Sequence, residues 1–323
     1  MKVHRSYQTL PAQGRGCVVA IGNFDGVHQG HKVLIEAACS QAEALGVASG
    51  VITFEPHPLQ LLRPEIAPER LTPLREKAAC LSALRVEHVF ALKFDRSLRE
   101  KSPEAFARDV LADGLGARHV VIGYDFRFGH KASGDVEALR ALGERFGFGV
   151  TVIQPVSQDG EACSSSRIRD LVAAGDVDCA AAMLGHPFFV LGRVVTGDRR
   201  GRELGYPTAN IRPPKEKALW PPAGIYAVRA GFEEGGQQVC ADGAASLGVR
   251  PTFDDRQGQL LEVHLLDRNP DLYGKRLCCQ FIARLRDELA FDDIDALKAQ
   301  MANDCDDARA ALGKAPLHAY LKT

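Results

Sequence analysis

The strongest constraint on the fold is an alternation between residues 17 and 185, where short apolar runs rich in β-branched residues are separated by stretches rich in Ala, Leu and Glu. Such runs are typical of buried strands, and the stretches between them have helical composition. The alternation predicts a parallel sheet with helices on both faces, whose ligands bind at the carboxyl ends of the strands. The predicted strands are Val18 to Ile21, Gly50 to Phe54, His88 to Leu92, His119 to Ile122 and Val150 to Ile153, and the clearest helices are Lys32 to Leu45 and Glu104 to Leu111.

The chain changes character near Gly185. Two helices separated by a turn at Gly175 are predicted between residues 167 and 184, and they stop where a glycine and a proline follow at residues 185 and 187. Beyond this point alternating strands are separated by Gly and Pro turns, which predicts a small antiparallel barrel. We therefore expect two domains, residues 1–185 and residues 186–323.

The predicted barrel is followed by one long helix, from Asp293 to Leu312. Its apolar stripe is expected to pack on the barrel, and a partner-binding surface is the alternative. The stripe consists of Ile294, Leu297, Met301, Cys305 and Leu312, and the predicted strands are Phe188 to Val195, Gly224 to Ala230, Leu260 to Leu266 and Leu277 to Ile282.

Composition limits the classes of function. The 323 residues suffice for two cores, and the formal net charge of -1 gives no overall cationic field of the kind that binds nucleic acids or anionic membranes. The nine cysteines contain no C-x-x-C pair, which favours a reducing compartment. The apolar run at residues 17–21 is too short for a signal peptide or a membrane span. We expect a soluble, cytoplasmic protein in which any basic site is local.

The segment between the first strand and the first helix, Gly22 to His31, combines glycines with two histidines. Its glycines let backbone amides approach an anion, and the helix start adds its positive dipole end. His28 and His31 can both donate to one phosphate group. A zinc site and ordinary polar loop residues are alternatives, although no further zinc ligand is suitably spaced. Neither a P-loop nor a G-x-G-x-x-G fingerprint occurs.

Three further segments of the first domain carry candidate binding residues. Gly123 to Gly129 places aromatic rings beside a carboxylate, which suits a flat heterocycle or, alternatively, a turn with buried phenylalanines. Ser164 to Arg169 opens a helix with hydroxyls and guanidinium groups, which suits an anion or an ordinary helix cap with solvated arginines. His57 follows another strand, where it either lines the same crevice or belongs to a structural turn.

The second domain carries a glycine-rich basic loop from Gly197 to Gly205. Thr208 and Asn210, two residues apart on an extended segment, present two oxygens on one side, which suits Mg²⁺. Glu262 lies on the polar face of an alternating strand and can act as a general base if that face borders a cavity. A solvated loop and an exposed strand glutamate are the alternatives.

Several of these segments resemble bacterial bifunctional riboflavin kinase/FAD synthetases. Residues 22–31 resemble the HxGH signature of nucleotidyltransferases, residues 123–129 the flavin-binding stretch, and residues 164–169 the S-S-T-x-x-R motif, with Ser166 in place of the usual Thr. Several segments of the second domain resemble the riboflavin kinase domain of this family. They are P-T-A-N at 207–210, G-I-Y-A-V at 224–228 and the segments 248–253, 262–267, 271–275 and 285–288. Ser246 stands where relatives more often carry Asn. The resemblance covers nearly the whole chain.

The resemblance implies a Rossmann-like N-terminal domain that adenylylates FMN to FAD and a C-terminal β-barrel that phosphorylates riboflavin, both with ATP and Mg²⁺. FMN phosphate would attack the α-phosphorus of ATP, and pyrophosphate would leave. The catalytic residues would be Glu262, His28, His31 and Arg169, and the metal ligands would be Thr208 and Asn210. ATP and its phosphates would be bound by Gly22, Phe24, Asp25, Gly26, Gly30, Ser164, Ser165, Arg167, Gly197 and Gly205. The flavin would be bound by Asp125, Phe126, Phe128 and His57.

Two other functions would leave marks on these motifs. A flavin or nucleotide sensor without turnover predicts damaged catalytic positions, and a nucleotidyltransferase with a merely structural barrel predicts a degraded P-T-A-N segment or no Glu262. Neither is seen. The expected partners are riboflavin, FMN, FAD and ATP, without nucleic acid or membrane, and the sequence makes no prediction of oligomeric state.

Overall fold

The structure is a computed structural model that describes residues 1–155, 157–158, 161–197, 200–212, 218–249 and 259–316. The chain forms two compact units, the first of Met1–Pro68 and Cys80–Ser164, the second of Glu69–Ala79 and Ser165–Thr323. The two helices before Gly185 thus group with the second unit by compactness, and the domain boundary at residue 185 stays a prediction.

The first unit contains a six-stranded parallel sheet in the order β1-β4-β3-β2-β5-β6. Its strands are β1 (Lys2–His4), β2 (Val18–Ile21), β3 (Ser49–Glu55), β4 (His88–Lys93), β5 (His119–Gly123) and β6 (Gly149–Ile153), followed by a short hairpin of β7 (Ser157–Gln158) and β8 (Glu161–Ala162). Every residue of the central β2 is buried, as expected for a parallel strand covered on both faces. The predicted parallel sheet is confirmed.

Helices connect these strands. They are α1 (Gln29–Leu45), α2 (Pro58–Leu62), α3 (Leu74–Ala83), α4 (Arg96–Arg99), α5 (Pro103–Ala105), which continues as a π-helical segment over Phe106–Ala112, and α6 (Val136–Phe146). Short 3-10 turns occur at Ala12–Gly14, Pro64–Ile66 and His130–Ala132. β1 was not among the predicted strands, because three residues carry too little pattern and only pairing with β4 makes them a strand.

The second unit is built on a closed six-stranded barrel in the order β10-β13-β12-β11-β14-β9. Its elements are α7 (Ser165–Ala174), α8 (Val177–Leu184), β9 (Phe189–Val195), α9 (Arg200–Glu203), β10 (Thr208–Ile211), β11 (Gly224–Glu234), β12 (Gln237–Val249), β13 (Gln259–Leu265), β14 (Arg276–Arg286) and α10 (Ile294–Leu312). The antiparallel pairing of β9 with both β10 and β14 closes the ring. The predicted antiparallel barrel with a terminal helix is confirmed.

Strand β12 was not predicted because its sequence is rich in glycine and alanine, which have weak strand preference. Its full-length ladder with β11 and its seven paired residues with β13 determine its conformation. The predicted stripe of α10 is only half right. Cys305 and Leu312 are buried against the barrel, whereas Ile294 is 61% exposed, because the helix extends beyond the surface that covers its C-terminal half.

Candidate active sites

The loop between β2 and α1 has an unusual backbone. Phe24, Gly26 and Val27 have φ values of 48°, 87° and 45°, in the left-handed region. This conformation costs a non-glycine residue roughly 1–2 kcal/mol, so two such residues within one short loop need compensation from packing. Phe24 is fully buried and Val27 is 3% exposed, so burial supplies it. The loop therefore has a backbone path fixed by its apolar side chains, with its amides available for a ligand.

His28 and His31 lie together where this loop enters α1. His28 is the N-cap of the helix, and its Nδ1 accepts a long hydrogen bond of 3.4 Å from the backbone N–H of His31. Because Nδ1 is the acceptor, the proton of a neutral His28 is on Nε2. The two imidazole rings stack with centroids 3.6 Å apart, and Phe24 meets the ring of His31 edge-on at 5.2 Å. The structure thus brings the two predicted catalytic histidines together.

Glycine is required beside these rings. A Cβ on Gly30 would lie 3.3 Å from the ring of His28, and a Cβ on Gly22 would lie 3.1 Å from the ring of Phe24. Asp25, in the same segment, is 2% exposed. The glycines predicted to bind phosphate therefore also give room to the side chains that form the loop.

His57 has a structural role in this unit. It is the N-cap of α2, where its Nδ1 accepts from the N–H of Leu59 at 3.2 Å and its own N–H donates to the side chain of Gln60 at 3.1 Å. Its side chain is buried. The alternative of a structural turn describes this geometry, and a part for His57 in flavin binding stays a prediction.

The aromatic stretch after β5 divides into core and surface. Phe128 is 6% exposed and belongs to the hydrophobic core, while Phe126 is half-buried and stacks on it at 5.6 Å between centroids. Asp125 is exposed, with its carboxylate close enough to Gly123 that a Cβ there would lie 3.3 Å from Oδ1. Phe126 and Asp125 are thus available to a ligand, and Phe128 supports the ring of Phe126.

The predicted phosphate-binding serines and arginines fall near the division of the chain. Ser164 ends the first unit, and α7 begins at Ser165 in the second. Arg167 is exposed, whereas Arg169 is half-buried and donates from Nε to the backbone carbonyl of Glu69 at 2.9 Å. The role of this segment in binding phosphate stays a prediction.

A polar row crosses three strands of the barrel. Glu262 on β13 lies directly opposite Asn210 on β10 and Ser246 on β12. Leu261 and Val263, its neighbours on β13, are fully buried inside the barrel, so Glu262 is on the outer face. Strand alternation puts Thr208 and His264 on the same face, one pair further along.

Asn210 is the most deeply buried member of this row, at 5% exposure. Its Nδ2 donates to the carbonyl of Thr208 at 3.3 Å, and its Oδ1 accepts no hydrogen bond within the described part of the chain. Gly197 lies against the amide, since a Cβ at that position would be 2.7 Å from its atoms. A buried, unsatisfied oxygen is costly, and a cation or a ligand donor is the usual partner for such a group.

The outer face of the barrel borders a cavity of about 380 Å³, which we call the outer cavity. It has the size and mixed chemistry of a small-molecule site. Its polar lining consists of Thr208, Ser246, Glu262, His264, Arg286, Glu288 and Asp304, and its larger apolar side chains are Leu204, Ile225, Leu289, Phe291, Leu297 and Met301. The face of Glu262 borders this cavity, which was the condition for its acting as a general base, and that role stays a prediction.

A second cavity of about 330 Å³, the mouth cavity, lies beside the segment after β13. Thr208 borders both cavities. The lining of the mouth cavity includes Pro207, Ala209, Val263, Arg268, Asp271, Leu272 and Tyr273. Two neighbouring cavities that share a lining residue are suited to two substrates that react with each other.

Several lining residues were missed from sequence. His264 borders the outer cavity and donates from Nδ1 to the carbonyl of Pro207 at 2.9 Å. Its position two residues after Glu262 on an alternating strand was the available signal. Arg286 and Asp304 carried no such signal, because their meeting depends on where α10 packs. Of the predicted motifs, residues 198–199 and 250–253 lie outside the described residues.

A third cavity, of about 480 Å³, lies in the first unit after β3 and β4. Its lining combines apolar Leu61 and Phe94 with basic Lys93, Arg96 and Arg99. These residues were not predicted from sequence either.

The described ranges contain neither a cluster of metal ligands nor a helix that could cross a membrane. No group of three or more His, Cys, Asp and Glu side chains there is placed to hold a metal ion. None of the described helices is long and apolar enough to cross a membrane.

The family model for FAD synthetase matches residues 10–167, and that for riboflavin kinase matches residues 184–312. A bifunctional riboflavin kinase/FMN adenylyltransferase from Pseudomonas fluorescens is 41% identical over 310 residues, which cover 96% of this chain and 97% of that protein. One of the same name from Escherichia coli K12 is 39% identical over 305 residues, 94% of this chain and 96% of that protein.

A crystal structure of a Streptococcus pneumoniae protein described as a macrolide-efflux protein has a TM-score of 0.80 and 28% identity, and the match covers 95% of this chain and 98% of that one. The efflux description belongs to that protein. With two family models in order along the sequence and relatives at about 40% identity over nearly their full length, this chain belongs to the family of bifunctional riboflavin kinase/FMN adenylyltransferases.

Proposed function

We propose that riboflavin is phosphorylated between the two cavities of the barrel, at Thr208, Asn210 and Glu262, and that the FMN product is adenylylated at His28 and His31, where the loop after β2 enters α1. Both activities follow from the family, with the FAD synthetase region first and the riboflavin kinase region second. The residues that carry each step are our proposal. The observation that supports it most is Thr208, which borders both cavities beside the row of Asn210 and Glu262.

In the kinase step riboflavin occupies the outer cavity, whose apolar side chains suit the isoalloxazine ring. ATP occupies the mouth cavity. The ribityl 5′-hydroxyl lies at Glu262, which takes its proton as the hydroxyl oxygen attacks the γ-phosphorus and ADP leaves. This arrangement requires the two substrates to meet beside Thr208, which lines both cavities.

The residues around Thr208 fit Mg²⁺. The buried Oδ1 of Asn210 and the hydroxyl of Thr208 are neutral oxygen donors on one strand face, and Mg²⁺ takes few protein ligands while keeping waters and substrate phosphates. Thr208 and Asn210 would hold the ion, which supplies charge stabilisation on the transferring phosphoryl group when bound. Gly197 leaves room for the Asn210 amide, because a Cβ at that position would lie 2.7 Å from its atoms.

In the adenylyl step an oxygen of the FMN phosphate attacks the α-phosphorus of ATP in line, and the bond to pyrophosphate breaks. No protein nucleophile is needed, so catalysis consists of positioning and charge stabilisation. His28 and His31 donate to the phosphate oxygens that gain charge, and the backbone of residues 22–30 binds the triphosphate at the start of α1. Phe126 and Asp125 bind the flavin ring.

Three further assignments are part of the proposal. Ser164, Ser165, Arg167 and Arg169 bind phosphate; the functional domains are residues 1–185 and 186–323; and the protein acts in the cytoplasm. The first is supported by the guanidinium groups at the start of α7, and the second by the left-handed Gly185 that ends α8.

The proposal is tested by incubating the purified protein with riboflavin, ATP and Mg²⁺ and separating the flavins over time by chromatography. We expect FMN to rise first and FAD to follow. Supplied FMN should give FAD without a lag. FAD formation from riboflavin without any FMN intermediate would contradict the two-step assignment, and replacement of Mg²⁺ by EDTA should stop both steps.

A further inference from the structure

The terminal helix α10 has two unlike halves. Its buried residues, Asp304, Cys305, Ala308 and Leu312, all lie in the C-terminal half. Met301 and Leu297, one and two turns before Cys305 on the same stripe, are half-buried and line the outer cavity. The N-terminal half is therefore a wall of the cavity rather than part of the core of the unit.

The polar contacts between α10 and the barrel follow the same division. Arg229 donates to the carbonyls of Leu312, Ala315 and Pro316 at the C-terminal end. Arg309 pairs with Asp267 at 3.0 Å. Among the described residues, no polar contact joins residues 294–303 to the barrel, so Asp304 is the polar attachment nearest to the cavity wall.

Asp304 is held by Arg286 at the end of β14. The guanidinium donates from Nε to Oδ1 at 2.7 Å and from Nη2 to Oδ2 at 2.5 Å, and both side chains line the outer cavity. The side chain of Asp304 is 9% exposed and that of Arg286 is 21% exposed. A bidentate pair with this burial fixes both distance and orientation, unlike a solvated surface pair.

The pair is satisfied within the protein. Oδ1 of Asp304 also accepts from Gln300 at 3.0 Å, and Nη1 of Arg286 donates to the carbonyl of Asp287 at 2.8 Å. Its geometry thus suits holding the helix better than binding a substrate. Arg286 is in the same cross-strand row as Glu262, three strands away through Ile225 and Ser246, which is about 14 Å at the usual strand spacing.

We propose that Arg286 and Asp304 are positioning residues for riboflavin in the kinase site. This role rests on the proposed location of the flavin in the outer cavity. The pair fixes Leu297 and Met301 at the distance that lets them pack on the isoalloxazine ring. The ring is then held so that the ribityl chain reaches Glu262. The ATP side of the site, at the mouth cavity, has no part of α10 in its lining.

The test measures riboflavin kinase kinetics of Asp304→Asn, Arg286→Gln and the double variant. Each single variant leaves a buried charge without its partner, and we expect the KM for riboflavin to rise about 10- to 100-fold, while the KM for ATP changes less than threefold. The double variant restores a neutral hydrogen-bonding pair, so its KM should be lower than the product of the two single effects predicts. Arg286→Lys, with one ammonium in place of the fork, should lie between.

Asp267→Asn is the matched control, because it breaks a more exposed ion pair on the same helix away from the cavity. It should leave both KM values unchanged. Adenylylation of supplied FMN, measured on every variant, reports whether the first unit is folded, and the circular dichroism spectrum together with the melting temperature reports whether the barrel is folded. Equal rises in both KM values, or a lower melting temperature with an unchanged KM for riboflavin, would overturn the positioning role. Absence of riboflavin phosphorylation in the unaltered protein would instead refute the proposed function.

Discussion

The two units place their polar residues on different kinds of support. In the parallel-sheet unit the histidines and glycines follow a strand and lie on a loop with left-handed residues, so their geometry depends on local backbone and a buried phenylalanine. In the barrel unit Asn210, Glu262 and Ser246 lie within strands and are aligned by register. The comparison suggests that one site is sensitive to local changes in a single segment, and the other to changes in side chains that cross between strands.

The largest expected effect separates the two chemistries. Glu262→Gln removes the proposed base while keeping size and hydrogen bonding, and riboflavin phosphorylation should fall about 10²- to 10⁴-fold. Conversion of supplied FMN to FAD should be unchanged, as measured by chromatography of the flavins. Glu233→Gln, an exposed glutamate on the same barrel, is the control and should have full activity. Equal loss of both activities in Glu262→Gln would remove the separation.

The histidine pair is the counterpart in the other unit. His28→Ala combined with His31→Ala should lower FAD formation about 10²- to 10³-fold, so that FMN accumulates from riboflavin. Because His28 also caps α1, His28→Asn is the informative single variant: asparagine retains the capping ability but not the imidazole. Normal FAD formation by His28→Asn would assign His28 to the helix cap alone.

A smaller effect tests close packing in the barrel site. In Gly197→Ala the new Cβ would lie 2.7 Å from the Asn210 amide, so one of the two must move. Overpacking of this kind costs about 1–3 kcal/mol, and we expect the kinase rate to fall about 10- to 100-fold with FAD formation from FMN intact. Gly236→Ala, which meets no atom within 4 Å, should retain the kinase rate despite its strained φ of 79°. Equal kinase rates for both variants would count against contact with Asn210.

The smallest effect concerns the stability of the parallel sheet. His4 on β1 and His88 on β4 lie 3.0 Å apart between Nε2 and Nδ1. Burial lowers the pKa of both histidines, and nearby Lys2 lowers both further. The pKa of His88 is also lowered by His4 and by the N-terminus, and Glu87 opposes this shift. Since the unfolded chain binds more protons in acid, stability should be lost as pH falls below about 6.5.

His4→Phe keeps an aromatic ring stacked on Phe90 but cannot titrate. Urea unfolding at pH 5 and pH 7.5 should therefore show a smaller pH difference for this variant than for the unaltered protein. The same difference in both proteins would show that this pair does not contribute to the acid sensitivity of the sheet.

Much of the architecture could be predicted from sequence, because in β-branched runs such as Val18–Ile21 the local preference for strand and the apolar character that leads to burial predict the same element. Strand β12 could not, since its small residues become a strand only through their partners. The same limit applies to the candidate sites. The proximity of His28 and His31 follows from helix geometry. In contrast, Phe128 is buried in the core and Ile294 is exposed to solvent because of tertiary packing, which the local sequence does not predict. Register between distant strands likewise determines which side chains flank Glu262.

The cross-strand row of the barrel has a consequence for folding kinetics. Asn210, Ser246 and Glu262 are separated by tens of residues along the chain and meet only when β10, β12 and β13 have paired. Long-range pairing of this kind forms late and is lost cooperatively, whereas the ten-residue segment from Gly22 to His31 depends mainly on local contacts. A newly synthesised chain should therefore acquire kinase activity only on completion of the barrel, and riboflavin turnover can serve as a reporter of its closure.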